Sequence, residues 1–162
     1  MLDIPSISAL VAAIGVLIGV VIAVVELRNL VKTRQTDLVM RLYSTYGNEE
    51  YSKAVNRYLA TEYRDYNDFV EKYGPIVSEE PVQVAFRMVC MFYEGVGVLL
   101  YRKLVNPDLV YDLFSVRIFW EKMKPIAEDT RKRFNEPRIW EWFEYLYNEM
   151  QKREQRPQRT QQ

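Results

Sequence analysis

The sequence predicts an all-α protein, in which a single N-terminal transmembrane helix continues into a cytoplasmic bundle of about four to five helices. Residues 7–25 form an uncharged run that is apolar except for Ser8. Beyond it, apolar residues recur at helical spacing, and strand-like alternation persists nowhere. We divide the chain into a transmembrane anchor (1–27), a juxtamembrane helix continuous with it (28–46), a helical bundle domain (47–150) and a disordered basic tail (151–162).

The apolar run carries no charge and has the length of a membrane span. A helix rises 1.5 Å per residue, so about 20 residues cross the roughly 30 Å hydrocarbon core of a bilayer. A cleavable signal peptide would have basic residues before the run and small residues at a cleavage site after it. Asp3 is the only charged residue before the run. Residues 24–27, at its end, are Val, Val, Glu and Leu. A buried core helix is the other alternative, but a run without a polar face favours an uncleaved anchor.

The residues that follow the run predict the orientation of the anchor. Arg28, Lys32 and Arg34 form a basic collar, and basic residues beside a span are retained on the cytoplasmic side. We therefore expect a protein of the cell membrane with its N-terminus outside and its domain in the cytoplasm. Each cation near an anionic lipid surface contributes about 1 kcal/mol of attraction, so an effector acting at that surface is one alternative function. The collar and the basic tail would then bind the lipid surface together. The basic residues of the tail are Lys152, Arg153, Arg156 and Arg159.

Small residues recur along one stripe of the anchor, at Ala12, Gly15, Gly19 and Ala23. Such a stripe lets two helix backbones approach closely, which predicts a homodimer formed through the transmembrane helix. The general enrichment of small residues in membrane helices explains the stripe equally well. Both interpretations stay open at this point.

The composition excludes several chemistries. The chain has no histidine and one cysteine, Cys90, which removes the usual zinc sites, imidazole catalysis and an intrachain disulfide. Its 22 basic and 22 acidic residues balance, so net charge gives no argument for a nucleic-acid partner. We therefore predict no catalytic residue, metal or cofactor, and we expect Cys90 to be a buried core residue.

Turn signals divide the first half of the domain. Gly47 and Asn48 end the juxtamembrane helix, and residues 49–73 are predicted to form one or two amphipathic helices rich in tyrosine. Gly74 and Pro75 mark a break. Ser78 is predicted to be the N-cap of a long helix that ends near Lys103. The apolar centre of this helix, residues 88–101, is short for a second span and contains a glutamate, so we expect a core helix.

The second half is predicted to contain two more helices. Asn106, Pro107 and Asp108 begin the first, and Pro125 is expected to kink or restart it near Lys124. A turn at residues 135–137 precedes the last helix, whose apolar stripe runs from Ile139 to Met150.

Glu94 is the most unusual polar residue, because it lies in the middle of the apolar helix. Arg87 precedes it by two turns on the same face, and we take Glu94 and Arg87 as a candidate buried polar site. A buried carboxylate needs a partner, and Arg87, Arg117 or Arg131 would supply one. The alternative is a functional acid in a helical pocket of a small membrane-bound enzyme or ligand sensor. The nearby Gly95 and Gly97 are explained better by close helix packing than by phosphate binding.

Two segments carry a resemblance to a known family. They are FYEGVGVLLYRKLVNPDLVYDLF at residues 92–114 and RFNEPRIWEWFEYL at residues 133–146, with the spacing of Trp120, Pro125 and Arg131 between them. They resemble an uncharacterised family of short prokaryotic proteins, a domain of unknown function, with an N-terminal span and a helical domain. The resemblance implies this architecture and transfers no activity. The anchor, the missing catalytic residue sets and the aromatic helices instead favour a non-enzymatic, membrane-tethered helical module that binds an unidentified protein partner.

Overall fold

The computed structural model describes residues 4–155, and within this range the chain forms seven α-helices and no β-strand. This confirms the all-α class and the long apolar N-terminal helix. Arg156 and Arg159 of the predicted tail lie outside the described residues. The helices are α1 (Ile4–Tyr46), α2 (Glu49–Ala60), α3 (Tyr66–Tyr73), α4 (Pro81–Tyr101), α5 (Pro107–Leu113), α6 (Val116–Phe134) and α7 (Glu141–Glu154).

The chain divides into two compact units, Met1–Asp37 and Leu38–Gln162, and we call the second the helical domain. The described part of the first unit is helical, and its described side chains are exposed except that of Gln35, which is half-buried. Residues Leu10–Tyr46 are long and apolar enough to cross a membrane, a property that membrane spans share with signal sequences. Helix α1 ends at Tyr46, as the sequence predicts, and the Gly47 amide donates to the Tyr43 carbonyl at 2.9 Å.

Short polar side chains begin three of the helices in the helical domain. The Asn48 side chain accepts a hydrogen bond from the Glu50 amide at 2.8 Å, and Asn106 accepts one from the Asp108 amide at 2.8 Å. Asp65 does the same for α3. Each cap satisfies an amide that has no partner inside its own helix. The predicted helix starts after Gly47 and at Asn106 are therefore confirmed.

The predicted N-cap at Ser78 is wrong. Helix α4 begins at Pro81, and Glu80 occupies the N-cap position. Pro81 is the first residue of the helix, and proline is tolerated at this position because the first amides of a helix have no intrahelical acceptor. The Ser78 amide instead donates to the Pro75 carbonyl at 2.9 Å, so Ser78 belongs to the turn before the helix.

A restart at Pro125 does not occur, because α6 continues through this proline. Proline inside a helix costs about 3 kcal/mol. Met123, Ile126 and Ala127 are each at most 1 % exposed, and burial of these neighbours outweighs that cost. The break lies earlier, between α5 and α6, where Phe114 has an extended backbone and a buried ring.

The core of the helical domain is rich in aromatic residues. Helix α4 packs against α2 and α7, while α6 packs against α7 and α3. Tyr58 is fully buried, and its hydroxyl donates to the Phe119 carbonyl at 2.8 Å. Helix α4 is also apolar enough to cross a membrane, but 44 % of its most apolar window is buried inside the protein. The following residues are fully buried: Val39, Tyr58, Phe69, Val89, Tyr93, Val96, Val110, Ile126, Phe143 and Leu146.

A lysine from α6 closes the C-terminal end of α2. The Lys122 ammonium donates to the carbonyls of Leu59 and Thr61. These carbonyls lie where a helix leaves its last acceptors unsatisfied, and where a positive charge is favourable. Burial lowers the pKa of Lys122, opposed by the charge of Glu62. The end of α2 is therefore completed by a residue distant in sequence.

Candidate functional site

Glu94 completes the first turn of α7. Its Oε2 accepts a hydrogen bond from the Phe143 amide at 2.8 Å, and its Oε1 accepts one from the Trp142 amide at 3.4 Å. Trp140 occupies the N-cap position of α7, and its side chain makes no capping hydrogen bond. The Trp142 and Phe143 amides therefore need an acceptor from outside the helix, and Glu94 of α4 supplies it.

The environment of Glu94 contains opposing influences on its charge. Burial raises the pKa of this carboxyl above its ordinary value of 4.5, and hydrogen bonds from the Phe143 and Trp142 amides offset part of that increase. Glu141 adds to the increase, whereas Arg131 opposes it. A helix N-terminus favours a negative charge, so the position of Glu94 compensates for its removal from water.

Gly97 allows the close approach of α4 and α7 at the same place. A Cβ atom at this position would lie 2.0 Å from the Trp142 carbonyl oxygen, so no larger residue fits without backbone movement. At Gly95 an added Cβ would meet no atom within 4 Å. Close helix packing therefore explains Gly97, and it does not explain Gly95.

Arg87 and Glu94 are not brought together as one buried polar site. The Arg87 guanidinium donates to the carbonyls of Ile76 and Ser78 at 2.9 and 2.6 Å, and it lies 3.6 Å from Glu79. Arg87 therefore ties the segment before α4 to that helix. An arginine was the expected partner of Glu94, but the described contacts pair Glu94 with backbone amides.

The two other arginines considered as partners bind elsewhere. Arg131 donates to Glu144 at 2.6 Å and to the Ile139 carbonyl at 2.8 Å, so it acts on Glu94 through its charge. Arg117 lies 3.5 Å from Glu154. Both arginines connect α6 to α7 or to the turn before it.

Cys90 is 1 % exposed, which confirms the expectation of a buried core thiol. Its Sγ lies 3.5 Å from the Met123 sulfur. Burial is the main cause that raises the pKa of Cys90, and the Glu94 charge adds to it. A neutral, enclosed thiol is a weak nucleophile. Among residues 4–155, no group of three or more His, Cys, Asp and Glu side chains could hold a metal ion.

The residues singled out in the N-terminal unit are all exposed in the structure. They are the small residues Ala12, Gly15, Gly19 and Ala23, and the collar residues Arg28, Lys32 and Arg34. An added Cβ at Gly15 or Gly19 would meet no atom within 4 Å. Within the described chain the glycines therefore serve no internal packing.

An apolar pocket lies beside Arg87, and no motif in the sequence predicts it. It has a volume of about 210 Å³, and its wall includes Ile76, Cys90, Met123 and Trp140. These residues come from the turn before α4, from α4, from α6 and from the residue before α7. Their spacing is that of ordinary core residues, so only Arg87 was a signal of the pocket in the sequence.

The fold and this site define a class: an all-helical protein with a long apolar N-terminal helix and a domain in which a half-buried carboxylate completes a helix. The family described as Domain of unknown function (DUF4760) matches residues 13–150, and the chain belongs to this family. This match confirms that the resemblance in residues 92–114 and 133–146 is to a domain of unknown function. No curated protein and no solved structure matches the chain.

Substitution of the two glycines of α4 should have opposite effects. We expect Gly97→Ala to lower the free energy of unfolding by roughly 1–3 kcal/mol, because its Cβ collides with the Trp142 carbonyl. Gly95→Ala should raise it by up to about 1 kcal/mol, because alanine has the higher helix propensity. Chemical unfolding in detergent micelles, followed by tryptophan fluorescence, measures both. Equal effects would contradict the close contact at Gly97.

Removal of the Glu94 carboxylate should destabilise α7. We expect Glu94→Ala to cost about 1–3 kcal/mol, because two amides lose their acceptor, whereas Glu94→Gln retains one acceptor oxygen and costs less. The folded state raises the pKa of Glu94, so it binds the proton more tightly than the unfolded state. The stability of wild type relative to Glu94→Gln should therefore fall as pH rises from about 4.5 to 7.

The same unfolding assay across this pH range tests the prediction for Glu94. Glu128→Ala is a matched control, because Glu128 forms an exposed i,i+4 pair with Lys124 at 3.9 Å. Such a pair contributes little, so the control should remain close to wild type. A pH-independent difference between wild type and Glu94→Gln would contradict the raised pKa.

Proposed function

We propose that the chain is a single-pass protein of the cell membrane, and that its α1 helix tethers a non-enzymatic helical domain that binds a protein partner. The exposed apolar surface of α1 carries this proposal. From Leu10 to Leu27, the large aliphatic side chains are between 44 % and 67 % exposed. An apolar surface of this extent is unfavourable in water and favourable in lipid. Helix α4 differs, because 44 % of its most apolar window is buried inside the protein, whereas none of the corresponding window of α1 is buried.

The basic collar supports a cytoplasmic location for the helical domain. Arg28, Lys32 and Arg34 are exposed and follow the apolar segment directly. Basic residues close to a span are kept on the cytoplasmic side. The N-terminus then faces outward. Residues 24–27, at the end of the run, are Val, Val, Glu and Leu rather than the small residues of a cleavage site, and this favours an anchor over a signal peptide.

The geometry at Glu94 argues against a role of this carboxylate as a catalytic acid or base. Both carboxylate oxygens accept hydrogen bonds from α7 amides. A carboxylate used in this way is committed to the packing of two helices. A general acid or base must instead be within hydrogen-bond reach of a substrate.

We also propose that the tether helix forms a homodimer through Ala12, Gly15, Gly19 and Ala23. Supporting this, an added Cβ at Gly15 or Gly19 would meet no atom of the described chain within 4 Å. Their small side chains leave room for the backbone of a second helix.

Arginine substitutions test the membrane tether. Leu17→Arg/Val21→Arg places two charges near the middle of the span, and each costs about 2.5–3.5 kcal/mol on insertion. We expect wild type to stay in the pellet after alkaline carbonate extraction and the double variant to move to the soluble fraction. Met40→Arg, at a 53 % exposed position of the helical domain, is the control and should stay in the pellet. A mature mass below the full 19.3 kDa would indicate a cleaved signal peptide and contradict the tether.

Leucine substitutions test the homodimer. We expect Gly15→Leu/Gly19→Leu to reduce the yield of crosslinked dimer in membranes, because larger side chains separate the two backbones. Val16→Leu/Val20→Leu changes the adjacent face and should leave the yield unchanged. If the glycine variant crosslinks as well as wild type, the small-residue stripe is not the dimer interface.

A further inference from the structure

We propose that the pocket beside Arg87 binds a single-chain amphiphile with a carboxylate head, such as a medium-chain fatty acid. Arg87 would hold the carboxylate, and the apolar wall would hold the chain. This inference goes beyond the tethering function and does not depend on it. It rests on the chemistry of the pocket wall, the donors of Arg87 and the backbone of Trp140.

The wall of the pocket has the character of a site for a hydrocarbon chain. Ile76, Phe86, Met91 and Met123 contribute to it, and Arg87 is its only charged residue. Apolar pockets with a few polar groups are typical of sites for small molecules. Methionine side chains adapt to irregular ligands because they are flexible and polarizable. The wall therefore suits a chain whose length and shape can vary.

Arg87 retains the capacity to bind an anion. Its Nη1 is occupied by the carbonyls of Ile76 and Ser78, while its Nη2 lies 3.6 Å from Glu79. The Glu79 side chain is 93 % exposed, so this ion pair is weak and readily replaced. A guanidinium has five N–H donors and matches the geometry of a carboxylate. The two carbonyl bonds hold Arg87 at the pocket without exhausting its donors.

A second apolar pocket adjoins the first and extends the surface available to a chain. It has a volume of about 390 Å³, shares Ile76 and Trp140 with the first pocket, and includes Val77 and Phe134. The last two side chains are 84 % and 66 % exposed. A chain lying over Ile76 and Trp140 would contact both pockets and cover part of this apolar surface.

Trp140 is held in a backbone conformation that its own chemistry does not favour. Its φ of 54° is left-handed, which is uncommon for a bulky residue. Strained conformations of this kind cluster at ligand sites, where the surrounding structure maintains them. Here the strained residue is one of the two that both pockets share.

Photolabelling of the full chain in lipid nanodiscs tests this proposal. The probe is decanoic acid with a diazirine at the far end of its chain, and mass spectrometry maps the labelled residues. We expect saturable labelling at Met91 and Met123. Unlabelled decanoic acid should compete about tenfold better than decanol, which lacks the charge that Arg87 binds.

Two variants with matched controls complete the test. Arg87→Gln should reduce pocket labelling about tenfold, whereas Arg57→Gln should not, since Arg57 donates to the Pro81 carbonyl outside this pocket. Met91→Trp should block the pocket from a position that is 71 % exposed and tolerates a larger side chain; Met88→Trp should not, because Met88 is absent from the pocket wall. Labelling confined to α1, equal competition by decanol, or labelling unaffected by Arg87→Gln and Met91→Trp would overturn the proposal.

Discussion

The contact between α4 and the first turn of α7 is the constraint on which the rest of the helical domain depends. Glu94 accepts the Phe143 amide, and three residues later Gly97 makes room for the Trp142 carbonyl. Residues three apart lie on one face of a helix, so a single rotation of α4 satisfies both contacts. That rotation also buries Val89, Tyr93 and Val96, which lie on the core side of α4. A polar contact and a steric one thus define the same packing register.

The parts of the fold that could be predicted from the sequence have local signals. Each such signal determines the structure of residues within a few positions of it. Examples are the apolar run, the turn at Gly47 and the cap at Asn106. The partner of Glu94 has no such signal. Its donors are backbone amides 48 and 49 residues away, and every residue except proline carries an amide. An oppositely charged side chain is therefore the partner that the sequence predicts, and the candidate arginines bind elsewhere.

Where local and tertiary effects conflict, the structure that the local signal predicts does not form. Pro125 is a strong helix breaker by its own chemistry, yet the burial of its neighbours keeps α6 continuous. Gly95 and Gly97 cannot be told apart in the sequence, because only the position of the Trp142 carbonyl distinguishes them. The pocket beside Arg87 was hidden for a related reason, since its wall combines residues from separate elements that each resemble core residues.

The Glu94 cap also has a consequence for the order in which the domain assembles during synthesis. Helix α4 leaves the ribosome well before α7, so Glu94 exists for some time without its helical partner. A carboxylate in that state stays hydrated, because burying it unpaired is costly. Packing the face of α4 around Glu94 against an apolar partner before the Trp142 and Phe143 amides are present therefore carries the cost of an unpaired carboxylate. Glu94, which caps α7 in the folded domain, thus also disfavours other packing of this face of α4 before α7 has formed.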